Sequence, residues 1–135
     1  MARIVHQPID EAEMRQRLGF AGAGAILSFV GTVRDHHLGR QVTAIEYHAY
    51  ESMALKEIGN IERAIVERWP EVHVEIAHRV GHLAVEEASV VLVVASPHRV
   101  EGFDALRFGI EAIKESVPIW KKEIYPDGHA WIEGS

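Results

Sequence analysis

The chain has 135 residues, a formal net charge of −6, 47% apolar and 25% charged residues, and no cysteine. This length fits one domain with a sizeable core and argues against global disorder, while the net acidity argues against nucleic-acid binding. The lack of cysteine excludes disulfides, cysteine-ligated zinc, a cysteine nucleophile and a persulfide carried on this chain.

Neither a membrane-spanning segment nor a secretory signal is expected. No apolar run approaches the ~18 residues that a transmembrane helix needs. The N-terminal stretch "MARIVHQPIDEAEMRQRLGF" lacks the ~7–15-residue apolar centre of a signal peptide. We therefore expect a soluble, cytoplasmic protein that does not bind membranes.

The first 50 residues predict a short helix among extended segments. "RIVHQPI" is extended, and Asp10 and Gly19 are suitable caps for a helix between them. The segment from Ala25 to Val33 is rich in β-branched residues and predicts a buried strand. The "HHLGRQ" segment after it predicts a loop, and "VTAIEYHAY" predicts a half-buried strand.

Two longer helices are predicted further along the chain. The first runs from Glu51 to Trp69 and ends before Pro70. The second runs from about Val100 to Val117. Their predicted apolar stripes are Met53, Leu55, Ile58, Ile61, Ala64, Ile65 and Trp69 in the first, and Phe103, Leu106, Phe108, Ile110 and Ile113 in the second.

Strands account for most of the remaining residues. "EVHVEIAHRVGHLAV" alternates as one strand would, and Ala88 to Ser96 is a continuous apolar run typical of a central strand. "IWKKEIY" and "HAWIE" predict two strands joined by a turn at "PDG". Together these elements predict an α+β single domain over residues 1–135, with a mixed or mainly antiparallel sheet and two main helices.

His98 and Arg99 follow a predicted strand and precede a predicted helix. Backbone N–H groups at a helix N-terminus attract anions, and an arginine and a histidine beside them would complete a phosphate or oxyanion site. The alternative is a connecting loop with two solvated polar residues. The spacing alone leaves both interpretations open.

Arg34 ends a predicted buried strand that Gly31 interrupts. A glycine inside a strand often marks a bulge or the close approach of a ligand, although a charged residue can also simply end a strand. The histidines form no recognised metal-ligand pattern, because adjacent histidines on an extended segment point apart. We expect neither a metal nor a cofactor.

Lys121 and Lys122 face opposite sides if their segment is a strand, so one can line a pocket while the other is solvated. A partly buried lysine near other cations has a lowered pKa and can serve as a base or nucleophile. Lys114 can instead simply complement the dipole at the end of its helix. On one helix, Arg99 and Lys114 would lie about 22 Å apart. Either they contact different ligands, or a dimer brings them together.

Several segments, in this order, resemble the large, catalytic subunits of molybdopterin synthase, the MoaE family. They extend from about Gly24 to Glu133, and the most specific are "PHR" and the lysine-rich stretch before "EIY". The matching segments are "FVGTVRDHHLG", "IEYHAYESMA", "RWP", "HRVGHLAV", "SVVLVVASPHR", "AIKESVPIWKKE" and "HAWIE".

The resemblance implies an α/β hammerhead fold and a sulfurtransferase of molybdenum cofactor biosynthesis. In this family cyclic pyranopterin monophosphate receives two sulfurs as a dithiolene. The sulfur arrives as a thiocarboxylate on the C-terminal glycine of a small ubiquitin-like subunit. Two large subunits form a central homodimer with one small subunit at each end, a heterotetramer.

The resemblance also implies functional residues. The two essential lysines of the family fall on Lys114 and Lys121. The residues implied to contact the substrate are Thr32, Val33, Arg34, His98, Arg99, Lys114, Lys121, Lys122 and Glu123, with His98 and Arg99 expected from the second subunit.

Two departures from the family pattern stand out. The chain ends at Ser135, where some relatives continue with a basic tail, and Glu86-Glu87 occupies a turn that often carries glycine-glutamate. Two other functions remain open from the sequence: a non-catalytic module that binds an anionic metabolite or a ubiquitin-like tail, and a metal-dependent hydrolase that uses the histidines.

Overall fold

A computed structural model of the chain describes residues 1–132. These residues form three helices and ten strands. The helices are α1 (Glu11–Leu18), α2 (Glu51–Arg68) and α3 (Arg99–Ser116). The strands are β1 (Arg3–Val5), β2 (Ala25–Thr32), β3 (His36–His37), β4 (Arg40–Gln41), β5 (Ala44–Ala49), β6 (His73–Arg79), β7 (Gly81–Ala84), β8 (Ala88–Ser96), β9 (Ile119–Tyr125) and β10 (Gly128–Ile132).

The first sheet has the strand order β1-β6-β8-β2. β1 and β6 pair in parallel, and the other pairs are antiparallel. The central strand β8 is buried along most of its length, as its continuous apolar run predicts. Its neighbour β2 begins at Ala25 as predicted, but the predicted burial of this strand was wrong, because β2 lies at the edge of the sheet and is only partly covered. The register of β2 shifts between Gly31 and Thr32.

The second sheet has the order β10-β9-β5-β7, with all its pairs antiparallel. The predicted hairpin at "PDG" is confirmed, since Tyr125 on β9 is opposite Gly128 on β10. The single strand predicted from "EVHVEIAHRVGHLAV" was wrong. The chain turns at Val80 and Gly81, whose φ is +100°, and continues as β7 in the other sheet.

A second turn was missed by the sequence analysis. "HHLGRQ" is a two-residue hairpin of β3 and β4 rather than a loop, with His37 opposite Arg40. Leu38 and Gly39 both have positive φ, 51° and 78°, which is the signature of a type I′ turn. The two central residues of this turn are usually asparagine and glycine. Because leucine occupies the first of these positions here, the sequence did not predict the turn.

The two long helices match their predicted ranges to within one residue at each end, but the residues that they bury differ in part from the predicted stripes. α2 buries Ala54, Ile58, Ile61 and Ile65, whereas Met53 and Leu55 of the predicted stripe are exposed. α3 buries Gly102, Ala105, Gly109 and Ile113, and Phe103 is 60% exposed. A Cβ at Gly102 would lie 2.7 Å from Leu27 Cδ1, so the close approach of α3 to the sheet selects small residues.

The predicted α+β class is confirmed, with α1 as a short third helix. None of the helices within residues 1–132 is long and apolar enough to cross a membrane. The same residues contain no group of three or more His, Asp or Glu side chains placed to hold a metal ion.

Candidate active site

A cavity of about 500 Å³ lies where the two sheets meet the C-terminal half of α3. Its basic residues come from three separate elements: Arg34 follows β2, Lys114 lies near the end of α3, and Lys121 lies on β9. Thr32 also lines it. The remaining lining residues are Phe29, Val30, Gly31, Tyr47, His78, Ser89, Val90, Leu92, Ile110 and Ile113.

Lys121 reaches the cavity because of its position in β9. It is opposite Tyr47 of β5 in the register, and both residues line the cavity. Lys122 points to the other side of the sheet, where its Nζ lies 3.4 Å from Glu46 Oε1 and 5.5 Å from the centre of the Trp131 ring. The predicted separation of the two lysines onto opposite faces is confirmed.

The surroundings of Lys121 favour its neutral form. Burial lowers the pKa of Lys121 below its usual 10.5, and the positive charges of Arg34 and Lys114 lower it further. The carboxylate of Glu123 acts in the opposite direction. A lysine with a lowered pKa can accept a proton or act as a nucleophile more readily than a solvated one.

Glu123 shares the face of Lys121 and is only 3% exposed. Its Oε1 accepts hydrogen bonds from the Tyr125 hydroxyl and from His37 Nδ1, both at 2.9 Å. His37 belongs to the small hairpin directly after Arg34. Glu123 therefore ties this hairpin to the strand that carries Lys121. The sequence did not indicate that either His37 or Tyr125 contacts Glu123.

The segment at the end of β2 divides between the cavity and the core. Thr32 and Arg34 line the cavity, whereas Val33 is 3% exposed and packs in the core. The Val33 N–H donates to the Glu87 carbonyl at 3.0 Å, and its carbonyl accepts from Glu86 N–H at 2.8 Å. Thr32 and Arg34, the residues on either side of Val33, therefore line the cavity, whereas the backbone polar groups of Val33 are used in hydrogen bonds to Glu86 and Glu87.

His98 and Arg99 lie at the opposite end of α3 from Lys114. Both are exposed, and His98 is the N-cap of α3 without a side-chain capping bond. A separate small cavity of about 140 Å³ borders His98. Within one chain, the structure thus brings Thr32, Arg34, Lys114 and Lys121 together, and it leaves His98 and Arg99 apart from them.

The floor of the cavity contains polar residues that the sequence analysis did not identify. Tyr47 and Ser89 line it, and burial raises the pKa of the Tyr47 hydroxyl. His78, beside Tyr47, is also buried, which lowers its pKa to about 4. Tyr47 and His78 lie in quoted segments, "IEYHAYESMA" and "HRVGHLAV", but neither shows from spacing alone that it faces the cavity.

Known proteins with the same sequence pattern agree with this architecture. The chain matches the MoaE protein family over residues 4–116. It is 44% identical over 129 residues to the molybdopterin synthase catalytic subunit of Halalkalibacterium halodurans, covering 96% of this chain and 83% of that protein.

Solved structures extend the comparison to the fold. The X-ray crystal structure of molybdopterin synthase from Staphylococcus aureus superposes with a TM-score of 0.92 at 40% identity, covering 96% of this chain and 94% of that one. A complex of subunits 1 and 2 of molybdopterin-converting factor from Helicobacter pylori shares the fold at 19% identity, with a TM-score of 0.81 and coverage of 98% and 90%. The chain belongs to the MoaE protein family.

Proposed function

We propose that this chain is the catalytic subunit of a molybdopterin synthase. It transfers sulfur from the C-terminal thiocarboxylate of a small ubiquitin-like subunit to cyclic pyranopterin monophosphate, and so forms the molybdopterin dithiolene. The observation that carries the proposal is the convergence of Arg34, Lys114 and Lys121 on one cavity. Three cations suit two anionic groups, a phosphate and a carboxyl tail.

The charge and burial of the three basic residues suggest a different role for each of them. The planar guanidinium of Arg34 holds the phosphate through donors in a fixed arrangement. Lys114 and Lys121 flank the thiocarboxylate. The sulfur stays on the substrate when the bond between it and the acyl carbon is cleaved, and water releases the tail as a carboxylate. One lysine stabilises the oxyanion that forms at the acyl carbon, and the other moves a proton from that water or briefly holds the acyl group before its hydrolysis. The lowered pKa of Lys121 suits the second role better.

The site is completed by a second copy of the chain. His98 and Arg99 from one large subunit contribute to the substrate site of the other, because α3 holds them apart from Lys114 within a chain. Lys122, on the outer face of its sheet, contacts ligand only at such an interface. The small subunit is a separate chain, in keeping with the two-subunit complex from Helicobacter pylori.

A sulfur-transfer assay tests the proposal. The purified chain is mixed with cyclic pyranopterin monophosphate and a thiocarboxylated small subunit, and dithiolene product is measured. Lys121→Ala should reduce turnover by on the order of 10²-fold or more, because it removes the group that moves the proton or briefly holds the acyl group. Lys56→Ala is the matched control, since Lys56 is an exposed lysine on α2.

Each outcome has a separate meaning. Product from the wild type and from Lys56→Ala, but not from Lys121→Ala, supports both the reaction and the site. Turnover of Lys121→Ala within tenfold of wild type would reject the role given to this lysine. Binding of the small subunit without any product from the wild type would favour a non-catalytic module instead.

A further inference from the structure

His78 is a buried polar residue on the cavity floor that the mechanism above does not use. It lies on β6 between Ile4 of β1 and Val90 of β8, and it lines the cavity although it is only 1% exposed. Its ring packs edge-on against Tyr47, with centroids 5.3 Å apart. A polar group buried to this degree is usually hydrogen-bonded.

The hydrogen bond of the ring fixes its tautomer. Nδ1 lies 2.9 Å from the backbone carbonyl oxygen of Arg79. Because a carbonyl oxygen can only accept, Nδ1 carries the proton and Nε2 is left with a lone pair. The bond to Arg79 is the only one the ring makes within residues 1–132. Nε2 is therefore an acceptor without a protein partner there.

The chemistry of Nε2 differs from that of every other charged or basic group at the cavity. Arg34, Lys114 and a protonated Lys121 can only donate hydrogen bonds. His78 remains neutral near pH 7, because burial holds its pKa at about 4. It is therefore a poor base and carries no charge to attract an anion. What it can do is accept a hydrogen bond, for which a neutral N–H group of a ligand is a suitable donor.

We propose that His78 Nε2 accepts a hydrogen bond from a neutral N–H group of the molecule that occupies the cavity. This inference rests on the proposed function, because both ligands of the proposed reaction carry a neutral N–H group. The pterin substrate has a ring N–H, and the tail of the small subunit has a backbone amide. His78 thereby determines specificity. The cations attract any anion of suitable size, and His78 selects those that also present an N–H donor at the cavity floor.

Two substitutions and two ligands test the assignment. His78→Leu removes the acceptor, and His78→Gln retains an uncharged acceptor. Calorimetry measures the affinity of each variant for cyclic pyranopterin monophosphate alone and for a peptide with the C-terminal sequence of the small subunit. His78→Leu should bind one ligand about tenfold more weakly, as expected for loss of a buried hydrogen bond, while His78→Gln stays within about threefold of wild type. The weakened ligand identifies the donor.

Two further readouts separate a ligand contact from a structural role. For the wild type, the ¹⁵N resonance of Nε2 should move when the identified ligand saturates the protein. In turnover, the KM for that ligand should rise in His78→Leu while kcat at saturation stays near wild type. Unchanged affinities in His78→Leu, or an unmoved Nε2 resonance, would overturn the inference alone. A wild-type chain that binds neither ligand would overturn both the inference and the proposed function.

Discussion

The charge state of Lys121 depends on residues from three elements. Burial and two cations lower its pKa, and one carboxylate opposes them. Lys114 is near the end of α3, Arg34 follows β2, and Glu123 lies two residues along β9. No segment of the chain alone produces this environment, so the lowered pKa of Lys121 is a property of the assembled cavity.

Charge-removing substitutions should move the pKa of Lys121 in opposite directions. Lys114→Gln removes a neighbouring positive charge that disfavours protonated Lys121, so the pKa of Lys121 should rise toward its usual 10.5. Glu123→Gln removes the negative charge that favours the protonated form, so the pKa should fall further. NMR titration of the ¹⁵N-labelled side-chain amine measures both shifts.

Lys56→Gln is the control for this titration, because Lys56 lies on the exposed surface of α2. It should leave the titration of Lys121 unchanged. A rise after Glu123→Gln, or no rise after Lys114→Gln, would show that these charges do not set the pKa of Lys121.

At the scale of elements, the hairpin of β3 and β4 has a strained backbone at Leu38, which another residue type would relieve. Leu38 is 87% exposed and has a φ of 51°, a region that costs a residue with a Cβ roughly 1–2 kcal/mol, except that asparagine tolerates it better. Leu38 buries nothing that would compensate. The hairpin is nevertheless held by Arg40, which contacts Asp127 at 3.1 Å and the Tyr125 ring at 3.9 Å.

Leu38→Asn should stabilise the protein by about 0.5–1 kcal/mol, because asparagine at the first central position of a type I′ turn relieves the positive φ. Chemical denaturation measures the gain as a higher free energy of unfolding. Leu38→Val is the matched control, and it should destabilise the protein, since a β-branched side chain tolerates positive φ poorly. Equal stability of the two variants would contradict this account of the turn.

The elements show what the sequence can and cannot predict. Local patterns located all three helices, the central strand β8 and the hairpin at "PDG", because capping residues, period and turn residues act within a few positions. The break between β6 and β7 was missed although the alternation changes register there. Val74, Ile76 and Val80 occupy even positions, whereas Leu83 and Val85 occupy odd ones, and the two strands join different sheets.

The buried face of α3 was predicted only in part. Ile113 is buried as expected. Hydrophobicity favours Phe103, however, whereas the sheet approaches the helix too closely at Gly102 and Gly109 for a larger residue.

The same limit applies to the site. The two-residue period of β9 was enough to place Lys121 and Lys122 on opposite faces. It could not show that Tyr47 and His78 share the cavity with Lys121, because that depends on how the two sheets pack. The floor of the cavity is formed by contacts between residues that are distant in the sequence, and a local sequence pattern does not predict such contacts.

At the scale of the whole molecule, α3 determines the distance between two basic clusters. One consists of His98 and Arg99, and the other of Arg34, Lys114 and Lys121. Arg99 begins this helix and Lys114 lies near its end, about 22 Å away at 1.5 Å per residue. A pterin is much shorter than this distance. If both clusters bind the same substrate molecule, they must come from different copies of the chain, related by the symmetry of a dimer.

A mixture of two inactive variants should therefore regain activity. In a dimer of Arg99→Ala with Lys121→Ala, one site combines both substitutions, and the other has Lys121 of one chain beside Arg99 of its partner. Random mixing makes half of the dimers mixed, each with one intact site of two, so about a quarter of wild-type turnover should return. Each variant is assayed alone and then after co-refolding at equal amounts. The double variant Arg99→Ala/Lys121→Ala, mixed with wild type, is the control: a site shared across the dimer leaves only the wild-type homodimers active, about a quarter of wild-type turnover, whereas a site within one chain would leave about half. No recovery in the first mixture, with mixed dimers verified by mass spectrometry, would mean that Arg99 serves the site of its own chain. Wild-type activity of Arg99→Ala alone would mean that Arg99 serves no site.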